Sequence, residues 1–111
     1  MGWQPFDNGA TVGQRGSEDS VMFRDDEHEL GARITLEREC SHGVPFAVTC
    51  GIYGWFFHTR LLGSEAEAEF PAMMDGLVAI LDTIPRVDDP EAGPKLARAS
   101  EAIQAFVARF T

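Results

Sequence analysis

Three short stretches of the chain hold residue types that do chemistry. RDDEHELG, residues 24–31, gathers Asp25, Asp26, Glu27, His28 and Glu29. Their carboxylates and imidazole are donors that a divalent cation takes, hard ions preferring the oxygens. Alternate residues of a strand point to opposite faces, so consecutive acids do not converge without a dedicated loop. The expectation is no metal centre but a solvated, negatively charged hairpin end that resists edge pairing. Asp25, Asp26, Glu27 and Glu29, with outward Glu37 and Glu39, then form an acidic patch suited to a basic partner.

ECSHG, residues 39–43, offers Cys40 and His42 as soft ligands. Zinc needs about four donors, or three and a water, at recognisable spacing. No C-x-x-C and no H-E-x-x-H occurs, so Cys40 and His42 read as turn residues and no metal is expected.

GIYGWFFHTR, residues 51–60, places His58 and Arg60 directly after the aromatic run of Tyr53, Trp55 and Phe57. An imidazole beside apolar walls can serve as general acid or base, with Arg60 holding an anionic substrate. No nucleophile elbow, Ser-His-Asp pattern or glycine-rich phosphate loop accompanies it. Cys50 becomes a nucleophile only if folding brings it within about 3 Å of a histidine. Gly9, Gly13 and Gly16 precede no helical periodicity, so they mark a flexible loop and not a phosphate cradle. Catalytic residues are thus unassigned, whether the protein is an enzyme stays open, and no cofactor is implied.

Composition narrows the partners. In 111 residues, 9 Lys+Arg stand against 18 Asp+Glu, a net charge of -9. That balance repels phosphate backbones and anionic headgroups, so nucleic acid and membrane are not expected partners. No continuous apolar stretch is long enough to span a bilayer, and the first residues lack the pattern of a signal peptide, which predicts a cytoplasmic chain. Cys40 and Cys50 are expected as free thiols, because a hairpin turn at ECSHG would separate them by roughly 17 Å, beyond the reach of a disulfide.

The elements that must position these residues divide the chain in two. Strand signals fill the first sixty or so residues and helix signals the rest. WQPF is at best a short edge strand, since Pro5 has no N–H to donate. SVMFRDD alternates Val21 and Phe23 against Met22 and Arg24, and ARITLERE alternates Ile34 and Leu36 inward against Arg33, Thr35 and Glu37 outward. Joined by a turn at Gly31, the two segments should pair antiparallel. The run from Pro45 to Arg60 would measure about 53 Å if straight, against a radius of gyration of about 13 Å for a domain of this length. It must therefore bend at Gly51 or Gly54, and a bulged strand is expected over a hairpin because IYGW lacks Asn-Gly or Asp-Gly. Phe46, Val48, Cys50 and Ile52 share one face. Beyond the bend both faces are apolar, so the second face needs a cover: a folded-over terminus bearing Trp3 and Phe6, or another subunit.

Ser64 with Glu67 reads as the capping box of a first helix, with Phe70, Met73, Met74, Leu77, Val78 and Leu81 as its buried stripe. Pro71 should kink that helix or start its main part. Pro94 opens a second helix with Leu96, Ala99, Ile103, Phe106, Val107 and Phe110 inward. The expected fold is one α+β domain over residues 1–111: an antiparallel β-meander of about four or five strands, then two C-terminal α-helices on one sheet face. The leading functional expectation is a non-catalytic module that self-associates as a homodimer through Tyr53, Trp55 and Phe57. The alternatives are a small-molecule binder or enzyme with a pocket between strand 45–60 and the first helix, His58 and Arg60 at its mouth, and an acidic inhibitor or immunity-type protein docking a basic partner.

Overall fold

A computed structural model describes residues 2–15, 20–38, 45–63, 66–85 and 88–110. Its strands β1 (Trp3–Pro5), β2 (Val21–His28), β3 (Ala32–Arg38), β4 (Phe46–Ile52) and β5 (Phe56–Leu62) form one antiparallel meander in chain order. Helices α1 (Ala66–Leu81) and α2 (Ala92–Arg109) follow, giving the expected α+β architecture. Cys40, His42, Glu39, Gly16 and the Ser64 cap lie outside the described residues.

Period-two alternation decides which side of the sheet the helices cover. Ala32, Ile34 and Leu36 of β3 pair with Ile52, Cys50 and Val48 of β4. All six are buried against Phe70, Met73 and Leu77 of α1. Burying each large apolar side chain contributes about 1.5–3 kcal/mol, and this layer is where most of the fold's stability resides. Pro71 sits inside α1, and the helix neither stops nor starts there. The stripe docks on either side of it, through Phe70 and Met73, and that packing offsets the missing hydrogen bond. Helix α2 begins two residues before Pro94, which still falls in the first turn, where an absent N–H loses nothing. Gly76 brings the helices together: a Cβ there would stand 2.9 Å from the ring of Phe106. Phe106 also meets Phe56 and Phe110 at centroid separations of 5.7 and 4.8 Å.

Two local expectations are corrected. A register shift between Met22 and Arg24 places Met22 opposite Glu37 and Arg24 opposite Leu36. The bulge thus sends Met22 and Arg24 to opposite faces, whereas simple alternation puts them together. Arg24 lies 4.3 Å over the Phe70 ring on the helix side. The single bulged strand from Pro45 to Arg60 is instead a hairpin, β4 and β5 closing at Ile52 opposite Phe56. The Trp55 amide donates to the Ile52 carbonyl at 2.9 Å, and Gly54 has φ 81°. A positive φ at the third turn position is the demand of a type II turn, which takes Gly there without the Asn-Gly pair of other hairpins.

Candidate functional site

The face of the sheet turned away from the helices carries the polar and semi-exposed side chains. On this face β4 presents only small residues, Ala47, Thr49 and Gly51. They lie between Glu37, Thr35 and Arg33 of β3 on one side and Leu61, Thr59 and Phe57 of β5 on the other. Large neighbours around small ones leave a trough along β4. The segment from Phe6 to Arg15 folds back over its β2–β3 side. The Phe6 ring covers the Arg33 guanidinium at 3.6 Å, and the Thr11 hydroxyl donates to Asp25 Oδ2 at 2.7 Å. Between this arm and the ring of Phe57 lies a cavity of about 360 Å³, with Thr35 and Thr49 in its floor, Met22 and Arg33 at its side, and Thr11 and Gln14 on the arm.

The arm is anchored on an ion pair whose carboxylate is buried and whose guanidinium is partly exposed. Asp25 is 2% exposed. Arg33 grips it with both prongs, Nε to Oδ1 at 2.9 Å and Nη2 to Oδ2 at 2.6 Å. The hydrogen bond to Asp25 raises the pKa of Arg33 above its ordinary value. Two donors on one carboxylate oxygen and one on the other satisfy a charge that burial alone would destabilise by several kcal/mol. The expected solvated acidic patch is accordingly corrected. Asp26 lies on the helix side and pairs with Arg24 at 3.0 Å. Glu27 accepts from the Tyr53 hydroxyl at 2.7 Å, and Glu29 at the turn accepts from the Gly2 amide at 3.4 Å. Glu37, expected outward in water, is 0% exposed. It shares the open-face side with Met22 and Ala47, where the chain covers it.

The aromatic-run candidates divide between faces and do not converge on one site. Tyr53 and Trp55 occupy the exposed turn, and burial followed by the Glu27 hydrogen bond raises the Tyr53 pKa. Phe57 stands on the open face, its ring lying against Gly51. His58 and Arg60 point to the helix side. The His58 Nε2 is 2.7 Å from the Phe110 carbonyl, and Arg60 pairs with Glu69 at 2.8 Å. They fasten the helices to β5. The pocket expected between strand 45–60 and the first helix is therefore corrected: that space is packed core, and the cavity opens on the other face. The other described imidazole, His28, accepts the Leu30 amide on Nδ1 at 3.1 Å and meets Trp3 edge-on. Among the described residues neither imidazole is hydrogen-bonded to a hydroxyl or a thiol.

Sequence reasoning missed the Asp25–Arg33 pair. The available signal was parity: across a hairpin turning at Gly31, Asp25 and Arg33 fall on one face as diagonal neighbours. The chain matches no protein-family model, no curated protein and no solved structure.

Cys50 is free, and burial pushes its thiol up to about 12 from 9.0. At neutral pH it is a protonated core side chain, not a nucleophile. The folded thiol holds its proton where the unfolded one ionises. Its contribution is therefore whole below pH 9.0 and is lost as pH rises towards about 12, at about 1 kcal/mol per pH unit. Urea melts across that window are expected to show a fall in stability that is shallower, by that slope, in Cys50→Ala. Equal slopes would contradict the assignment.

Proposed function

We propose that the protein is a non-catalytic module that self-associates, a homodimer formed through the edge of β5 in the cytoplasm. The observation that carries this is the asymmetry of the two sheet edges. β1 is a three-residue strand ending in Pro5, which blunts it. β5 has seven residues, no proline and no carboxylate, and presents Phe57 at 70% and Leu61 at 57% exposure. In a chain of net charge -9, a strand with no carboxylate of its own, and with the nearby Glu69 already paired with Arg60, sets less repulsion against an approaching copy than an acidic edge would.

The strand is also self-complementary. A two-fold axis normal to the sheet keeps every side chain on its own face, so facing residues must share parity. Centred on Thr59, antiparallel pairing sets Phe57 of one copy against Leu61 of the other on the open face, and Phe56 against Leu62 on the helix side. Shifting the centre to His58 or Arg60 breaks both matches. Sedimentation velocity at about 10 μM is expected to give a dimer for the native chain and a monomer for Leu61→Asp with unchanged far-UV circular dichroism. Placing an uncompensated carboxylate against an aromatic ring should weaken association at least tenfold. A native chain that stays monomeric, or a Leu61→Asp variant that stays dimeric, would overturn the reading.

A further inference from the structure

The cavity beside the arm shares Phe57 with the β5 edge but has its own chemistry. Two arginines line it, Arg15 on the arm and Arg33 on the sheet; both prongs of Arg33 are on Asp25, and Thr11 adds a third hydrogen bond to that carboxylate. An ionic ligand would find no unspent opposite charge in the Arg33–Asp25 pair, and an anion would also oppose the net charge of -9. The walls are the Phe57 ring, the thioether of Met22 and the stem of Arg33, surfaces that favour flat, polarisable molecules. The floor carries the hydroxyls of Thr35 and Thr49, and Thr59 stands next to Thr49 on the following strand. The Thr35 hydroxyl donates to the Thr49 carbonyl at 3.3 Å, and the Thr49 and Thr59 oxygens lie 3.2 Å apart. One proton suffices for that last contact, which leaves a hydroxyl donor and several lone pairs for a guest. A volume of about 360 Å³ falls at the lower end of small-molecule sites.

From this we infer that the cavity between the arm 6–15 and the open face of β3–β5 is a binding site for a small, uncharged, ring-bearing molecule with one polar edge. The ring lies against Phe57 and Met22, and the polar edge meets the Thr35 and Thr49 hydroxyls. The arm forms one wall of the site and is held in place by the Phe6–Arg33 and Thr11–Asp25 contacts.

The site shares Phe57 with the seam but not Leu61, so the test uses the full-length Leu61→Asp chain alongside the native one to separate binding from dimer formation. Indole, neutral and planar with one N–H donor, is titrated into ¹⁵N-labelled protein. The expected result in both chains is saturable shifts at Thr11, Gln14, Thr35, Thr49 and Phe57 with Kd below about 1 mM, a strength within reach of a ligand this small. Thr49→Phe, which fills the trough, should weaken binding at least tenfold while the remaining amide spectrum stays native. If that variant does not fold, Phe57→Ala should weaken binding about tenfold by removing the ring wall. Shifts that do not saturate, that map to the helices or the β5 edge alone, or that survive these substitutions would overturn the site. Binding in the native chain with none in Leu61→Asp would overturn it too, showing a guest held between copies.

Discussion

Arg33→Ala is expected to lower the unfolding free energy by about 3–5 kcal/mol, among the largest losses open to a single residue here. The reason is what the substitution leaves behind. Asp25, 2% exposed, would be left with only the Thr11 hydroxyl as a hydrogen-bond partner. Phe6 would lose the guanidinium on which it rests at 3.6 Å. The pair itself need not be strongly stabilising, since desolvation of both partners offsets much of their attraction. Removing one partner is therefore worse than removing both. Asp25→Asn with Arg33→Ala should recover at least about 1 kcal/mol relative to Arg33→Ala alone. Urea unfolding followed by fluorescence of Trp3 and Trp55 reads both values. An Arg33→Ala loss under about 1 kcal/mol, the range of an exposed pair, would show that the arm does not seal Asp25 from water.

Gly51→Ala is the second large effect, expected at about 2–4 kcal/mol. A Cβ at this position would lie 2.3 Å from the Phe56 carbonyl oxygen and 2.7 Å from Phe57 Cδ1. The ring can swing away, but the carbonyl belongs to the β5 backbone and cannot move without opening the hairpin. Gly54 offers the comparison. Its φ of 81° makes alanine strained, yet a Cβ there meets nothing within 4 Å. The left-handed conformation alone is worth about 1–2 kcal/mol, so Gly54→Ala should lose clearly less than Gly51→Ala. The opposite order in the midpoints of the two melts would contradict the placement of Phe57 over β4.

The helix-covered layer was legible because it rests on periodicity. Ile34, Leu36, Val48 and Cys50 alternate cleanly, and Phe70, Met73 and Leu77 recur at helical spacing, so strand faces and helix stripe follow without knowledge of tertiary contacts. The open face was not legible in the same way. Arg33, Thr35 and Glu37 are polar, and alternation assigns polar residues to water. The return of Phe6 and Thr11 over the sheet, a contact distant in sequence, covers Arg33 and the Asp25 that it grips. His58 and Arg60 misled for a related reason. Residue type marked them as chemistry, while the parity of β5 turns them to the helix side, where Phe110 and Glu69 take them up. The hairpin at Gly54 carries no Asn-Gly or Asp-Gly signal, because a type II turn needs only a glycine at its third position. The two-faced apolar character of the aromatic run was readable, and it is what singled out Phe57.

The most direct test of β5 as the seam between copies is an isotope-filtered NOE experiment on an equal mixture of ¹³C-labelled and unlabelled native chain. Pairing centred on Thr59 predicts intermolecular contacts between the Phe57 ring and the Leu61 methyls, and between Phe56 and Leu62. An associated sample lacking those contacts, or one whose contacts join the helices instead, would contradict it.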